Sequence, residues 1–221
     1  MRDMHCHILP GVDDGARDMD MSRAMLEAAR AAGVTSIVCT PHCRDPYFDF
    51  DAMWAAFHEL EPVAAQMGIP LTMGFEVAHA KLQELGVEEW ADRLAFQGET
   101  GEFLLELDVA APKLAYGDYE RTIFSLQGMG YRVIIAHPER YRAIQQDPEL
   151  ARRFVELGCD LQASADFLAG GRLGAEKKPA LRLFEQRLYR YIASDAHRPE
   201  RYAYLARAVE EYPRRGVHMR L

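Results

Sequence analysis

Seven short apolar runs punctuate the chain, and a segment of helical period follows nearly every one. The runs are Arg2–Cys6, Thr35–Thr40, Leu71–Phe75, Phe103–Asp108, Arg132–Ala136, Cys159–Ala163 and Tyr189–Ser194. Short apolar runs of this length predict strands. The helical segments are Met19–Ala32, Asp51–Met67, Tyr119–Met129, Pro148–Leu157, Ala175–Arg187 and Pro199–Tyr212. Gly33, Gly68, Gly130 and Gly158 each stand just past a helical segment, where a left-handed cap is expected. Strands that alternate with helices pair in parallel through crossover connections. Two architectures satisfy that pattern: an open doubly wound sheet, or a closed barrel one strand short of the usual eight. No Gly-x-Gly-x-x-Gly follows any run, so the dinucleotide-binding form of the open sheet has no support.

A barrel places its chemistry where strands exit, on the loops at their carboxyl ends. Polar residues gather there. His5 and His7 leave the first run, His42 the second and Glu76 the third. Glu106 ends the fourth, His137 the fifth, and Asp195 with His197 the seventh. His58, His79 and His218 fall elsewhere and read as surface residues, while Glu102 reads as a solvated residue at the entry of its strand.

His5 and His7 are two apart, so in a strand both imidazoles face the same side. Asp13-Asp14-Gly15 follows in a glycine-flanked loop, which as an isolated motif is a turn. Glu76 and Glu106 close strongly apolar runs, and a carboxylate at a core edge is costly unless paired or bound to a cation. Imidazoles and carboxylates without thiolates suit Mn²⁺, Fe²⁺ or Zn²⁺. Nine candidate ligands, His5, His7, Asp14, His42, Glu76, Glu106, His137, Asp195 and His197, exceed the needs of one ion, so two or three are expected. Neighbouring divalent ions polarise a phosphoryl oxygen and generate hydroxide near neutral pH.

Composition narrows the partners. A net charge of −8 leaves no basic track for a nucleic-acid backbone. The four cysteines are too few and too scattered for a disulfide framework, and no apolar stretch approaches the roughly 20 residues that span a bilayer. With nothing resembling a signal peptide before His5, a cytoplasmic protein without membrane insertion is expected. No Cys-x5-Arg loop is present, so a cysteine nucleophile is not expected.

The run Asp3-Met4-His5-Cys6-His7-Ile8-Leu9-Pro10-Gly11-Val12-Asp13-Asp14-Gly15 resembles the opening of the bacterial manganese-dependent protein-tyrosine phosphatases of the PHP (polymerase and histidinol phosphatase) superfamily, the capsule-associated CpsB/YwqE type. The resemblance continues through Thr40-Pro41-His42, Gly74-Phe75-Glu76, Leu105-Glu106, Ala136-His137-Pro138-Glu139-Arg140 and Ser194-Asp195-Ala196-His197. It implies one domain over residues 1–221 with a distorted seven-stranded (β/α)7 barrel and a trinuclear site, manganese foremost. By that resemblance His5, His7, Glu76 and Asp195 hold one ion. Glu76 bridges to a second ion held by Glu106 and His137, and Asp14, His42 and His197 hold the third. Arg140 would clamp phosphate in a bidentate way. It would act with His42, Asp195 and His197 while a metal-bound hydroxide attacks phosphorus, with no phosphoenzyme.

The implied partner is the phosphotyrosine-bearing tail of a bacterial kinase of capsular or exopolysaccharide synthesis, with a homo-oligomer left open. Arg44 and Arg198, close to predicted ligands, face either phosphate or solvent. The segment after His197 is shorter than the family pattern and lacks its Asn-Pro stretch, and Pro46-Tyr47-Phe48 is aromatic where substrate contacts would lie. Two alternatives remain: a small-molecule phosphatase of the histidinol-phosphate type, and a metal-binding regulatory module without catalysis. A nuclease is disfavoured by charge.

Overall fold

A computed structural model of the chain describes residues 1–98 and 101–212, so His218 lies outside the described residues. The described residues form nine short strands: β1 (Arg2–Cys6), β2 (Ser36–Cys39), β3 (His42–Cys43), β4 (Leu71–Met73), β5 (Glu76–Ala78), β6 (Glu102–Glu106), β7 (Arg132–Ala136), β8 (Asp160–Ser164) and β9 (Tyr191–Ala193). They also form nine α-helices: α1 (Met19–Ala31), α2 (Phe50–Gln66), α3 (His79–Leu85), α4 (Val87–Leu94), α5 (Tyr116–Gly128), α6 (Arg142–Gln146), α7 (Glu149–Glu156), α8 (Lys177–Glu185) and α9 (Tyr202–Glu211). The order β1-β2-β4 makes one sheet and β3-β5-β6-β7-β8-β9 a second, with every pairing parallel. A parallel bridge between Cys6 and Ala196 joins the first strand to the turn after the last, so the parallel strands curl round on themselves.

The expected run Thr35–Thr40 holds β2 and the run Leu71–Phe75 holds β4; β3, beyond Pro41, and β5, beyond Gly74, lie past the ends of those runs and had no counterpart among the expected strands. Backbone bonds bridge both breaks, from Gly74 N to Cys39 O (2.9 Å) and from Glu76 N to Pro41 O (3.1 Å). Helices α3, α4 and α6 had no counterpart in the expected elements. Gly86, at φ 94°, separates α3 from α4 and breaks the helical period that a longer window would register. Where helices were expected, local chemistry anchors them: Asp18 accepts from Met21 N and Asp49 from Ala52 N, N-caps for α1 and α2. All four glycines beyond helices take positive φ, Gly33 at 83° among them.

Strand alternation sorts side chains into two layers. Phe103, Leu105, Val133 and Ile135 face outward into the large core beneath the helices, while Met4, Val38, Phe96, Leu104, Ile134, Ala136, Tyr191 and Ala193 form a separate inner cluster. On β6 the inward column reads Glu102, Leu104, Glu106, which places a carboxylate at each end of an apolar middle. Glu102 is not solvated as expected. It is buried and bonded to Arg2 (2.8 Å) and Arg132 (2.5 Å), because its entry position faces the interior. No helix among the described residues is long and apolar enough to cross a membrane.

Candidate metal centre

At the opposite end of that inward column the strand exits converge. On β1, the register slips between Asp3 and Cys6: three residues of β1 span two of β2. The extra residue lets both Met4 and His5 face inward, and Cys6 turns outward to Tyr202. His5 and His7 then bring their Nε2 atoms within 3.2 Å of each other. Glu76 Oε2 lies 3.4 Å from His5 Nε2, 3.3 Å from His7 Nε2 and 2.7 Å from His42 Nδ1. Asp195 Oδ1 repeats the pattern, 3.4 and 3.3 Å from the same two Nε2 atoms. His137 Nε2 sits 2.6 Å from Glu76 Oε1 and 3.9 Å from Glu106 Oε1. Asp14 Oδ1 is 3.2 Å from Nε2 of both His42 and His197.

All nine residues singled out in the sequence therefore meet in one cluster. Four sets of their donor atoms are each close enough to share an ion: His7, Asp14, His42 and His197; His5, His137 and Asp195; His5, His7 and Glu76; and His42, Glu76 and Glu106. His58 stays exposed on α2 as expected. His79 does not: it is half-buried and bonds Thr122 Oγ1 at 2.9 Å.

Hydrogen bonding alone does not account for this crowding. Asp14 Oδ1, Glu76 Oε2, Asp195 Oδ1 and His42 Nδ1 are buried with no hydrogen-bond partner among the described residues, although each has polar atoms within 3.4 Å. Buried polar groups are ordinarily paired. Ligand bonds of about 2.0–2.2 Å put neighbouring donors roughly 3–3.5 Å apart, the spacing found here. The residues fit a set of divalent cations.

Supporting contacts orient these donors. His7 Nδ1 lies 2.8 Å from Asp13 Oδ2 and His5 Nδ1 2.9 Å from Gln162 Oε1, which leaves each Nε2 to face the centre. His137 (φ 29°) and Asp195 (φ 47°) hold left-handed backbone, which in residues other than glycine persists where the surroundings impose it, typically at functional sites. Asp3, fully buried, accepts from Ser194 N (2.9 Å) and Ser194 Oγ (2.5 Å) and so ties β1 to the turn that carries Asp195.

Electrostatics follow from burial. Burial, with the Glu76 carboxylate alongside, pushes Glu106 up to about 7. Burial and the Arg140 guanidinium bring His137 down to about 4. Burial pulls Asp14 upward, but His197, His42 and Arg172 hold its carboxyl well below the usual range. The four cysteines are buried and free, and burial raises every thiol, Cys43 and Cys159 to about 12. None is a ready thiolate.

Beside the cluster lies a cavity of about 270 Å³ walled by Arg140, Arg172, Arg198 and Arg201 together with Asp14, Asp166, Asp195 and His197. Arg140 is buried and reaches Asp195, Asp166 Oδ2 (3.4 Å) and Ser164 Oγ (3.2 Å), while its Nε has no partner. Arg198 lines this cavity and donates to Gly15 O at 3.0 Å. Arg44 points elsewhere: it contacts His42 Nε2 (2.9 Å) and Glu106 (3.6 Å) on the side lined by His79 and Tyr119. Tyr47 stacks on His42 with ring centroids 5.8 Å apart. Sequence reasoning missed Gln162, Asp166, Arg172 and Arg201. Gln162 carried a signal, an amide inside the apolar run Cys159–Ala163; the other three carried none beyond residue type.

Comparison with known proteins agrees with this geometry. The family model for capsular polysaccharide synthesis, CpsB/CapC, matches residues 1–215. The tyrosine-protein phosphatase YwqE of Bacillus subtilis is 35% identical over 203 residues, covering 89% of this chain and 77% of that protein. A crystal structure from work on YwqE of B. subtilis and CpsB of Streptococcus pneumoniae, described as unique metal-dependent tyrosine phosphatases, aligns at TM-score 0.75 and 31% identity. It covers 96% of this chain and 87% of its own. Adenine deaminase from Arthrobacter aurescens aligns at TM-score 0.55 with 14% identity, a likeness of fold alone. By its motifs, the arrangement of its strand ends and its relatives, the chain belongs to the CpsB/CapC family of capsular polysaccharide synthesis proteins.

Proposed function

We propose that this chain is a metal-dependent protein-tyrosine phosphatase that acts on a phosphotyrosine-bearing kinase of capsular or exopolysaccharide synthesis. The observation that carries the reading is the convergence of nine donors, several buried and unpaired, beside an arginine-walled cavity. In this reading β2 runs on into β3 and β4 into β5, so residues 1–221 make one (β/α)7 barrel domain. His5, His7, Glu76 and Asp195 hold one ion, Glu76, Glu106 and His137 a second, and Asp14, His42 and His197 a third. Manganese is the ion of choice, with Fe²⁺ or Zn²⁺ also matched to the donor set. The cations supply charge to polarise the phosphoryl group and to activate water.

The chain's own residues do the rest. Asp13 and Gln162 fix the imidazoles of His7 and His5. Arg140 steadies Asp195 and lends its unpartnered Nε to phosphate. The arginines around the cavity neutralise a dianion on an otherwise acidic protein. The high thiol pKa values leave phosphoryl transfer to cysteine without support. The free thiols suit the cytoplasm. The relative named above is a tyrosine phosphatase, which favours phosphotyrosine over histidinol phosphate.

Hydrolysis of a phosphotyrosine peptide, p-nitrophenyl phosphate and histidinol phosphate by chelator-stripped protein, before and after Mn²⁺, tests the proposal. Metal-dependent turnover that favours the peptide is expected. No turnover on any substrate despite bound metal would sink it and leave a regulatory metal-binding module.

A further inference from the structure

Arg172 comes from no strand end. It rides on a turn between Gly170 and Gly174 that three positive-φ glycines shape: Gly170 at 105°, Gly171 at 79° and Gly174 at 81°. Glu176, fully buried, holds that turn by accepting from Leu173 N (2.7 Å) and Ala175 N (2.9 Å). A Cβ on Gly171 would stand 2.3 Å from Glu176 Oε2, so the turn and its buttress are built for each other. The turn delivers the Arg172 guanidinium to Asp14, with Nη2 2.6 Å from Oδ2. Nη1 lies 3.4 Å from His197 Nε2. Asp14 Oδ1, the atom that faces His42 and His197, keeps no hydrogen-bond partner.

From this geometry we infer that Arg172 is a positioning residue that couples cation binding to phosphate binding. The inference rests on the phosphatase reading. By pinning Oδ2, Arg172 turns Oδ1 toward the cation shared with His42 and His197. When the His197 Nε2 lone pair is given to that cation, Nη1 loses its neighbour and is free for a phosphate oxygen in the cavity it lines. Each ligand then favours the other through one side chain, and the coupling is reciprocal.

The test uses the full chain and its variants R172A, R172K and G171A, the last leaving the guanidinium intact but displacing its turn. Free Mn²⁺ is followed by electron paramagnetic resonance, inorganic phosphate binding by calorimetry, and turnover on p-nitrophenyl phosphate by kcat and KM. R172A should weaken the loosest Mn²⁺ and inorganic phosphate each by roughly tenfold, the loss typical of groups that orient metal ligands. KM should rise while kcat at saturating Mn²⁺ stays within about threefold. R172K should recover part of the phosphate affinity, and G171A should copy R172A. Mn²⁺ and phosphate titrations of R172A that match the parent overturn the inference even if G171A fails to fold. A parent that binds both ligands and hydrolyses nothing overturns the phosphatase reading while leaving the coupling intact.

Discussion

Asp195 stands at φ 47°, fixed from behind by the Ser194–Asp3 contact and from the side by Arg140. Its place in the cluster predicts that Asp195→Asn and His42→Ala each lower kcat/KM by at least about 100-fold while thermal melts stay near the parent. Wild-type rates on an aryl phosphate would remove either residue from the site. Arg140 demands a different design. Its Nη2 is already committed to Asp195, Asp166 and Ser164, so alanine leaves buried Asp195 without its arginine and Asp166 with Arg201 alone, and costs about 3–5 kcal/mol of stability. Arg140→Lys keeps the charge, and should raise KM and lower kcat together with a smaller shift in melting. Unchanged kinetics would exclude Arg140 from phosphate binding. Eight of the nine donors could be read from the sequence because each sits at the exit of an apolar run, where a charged side chain has no cheap alternative; Asp14 came from a loop that in isolation reads as a turn. The supporting residues were harder to read: Gln162 acts on His5 and Arg172 on Asp14, each distant in sequence, so the amide inside an apolar run marked Gln162 without giving its role, and Asp13, though near His7, read as a turn residue.

At the scale of elements, the link between α4 and β6 matters as much as any strand. Phe96 enters the inner cluster and lies against Gly74, where an added Cβ would stand 2.4 Å from its ring. Gly74→Ala should therefore cost about 1–3 kcal/mol through overpacking, and Phe96→Ala about 3–5 kcal/mol through the cavity it opens. Chemical denaturation of metal-free protein checks both; a neutral Gly74→Ala would mean that Phe96 moves aside freely. Strand and helix boundaries mostly fell within a few residues of expectation because hydrophobic period is a local signal. The short strands β3 and β5, beyond Pro41 and Gly74, were not legible, since pairing with a neighbouring strand and not any local period defines them. Glu102 deceived for the same reason: its burial comes from Arg2 and Arg132, brought in by other strands.

For the whole molecule, the balance of buried titrating groups sets a pH dependence. Burial holds Glu139, and burial with Glu76 holds Glu106, up to about 7, above the value of an unfolded glutamate. The native state thus keeps protons that the unfolded chain releases, and stability falls as pH rises through about 7. His5, His7 and His42 are raised despite burial, by Glu76, Asp195, Asp13 and Asp14 around them, and act in the same direction. His137, lowered to about 4, and His79 and His197, also lowered, act oppositely, but their contribution tails off above pH 6.5 and is complete by about 7.5, where the unfolded imidazoles have lost their protons. Metal-free protein should lose about 1 kcal/mol or more between pH 6.5 and 8, and Mn²⁺ should flatten that slope because ligands are then unprotonated in the native state. A melting temperature independent of pH over that range would contradict it. The closing bridge between Cys6 and Ala196 has a separate consequence, for synthesis on the ribosome. His5 and His7 emerge first, Asp195 and His197 some 190 residues later, and the donor sets that include either of the last two stay incomplete until the last strand docks on the first. At roughly 5–20 residues per second the opening histidines wait about 10–40 seconds for their partners. A nascent chain stalled before Tyr191 should therefore hold fewer Mn²⁺ than the full chain, which makes full metal uptake a signal that the last strand has docked.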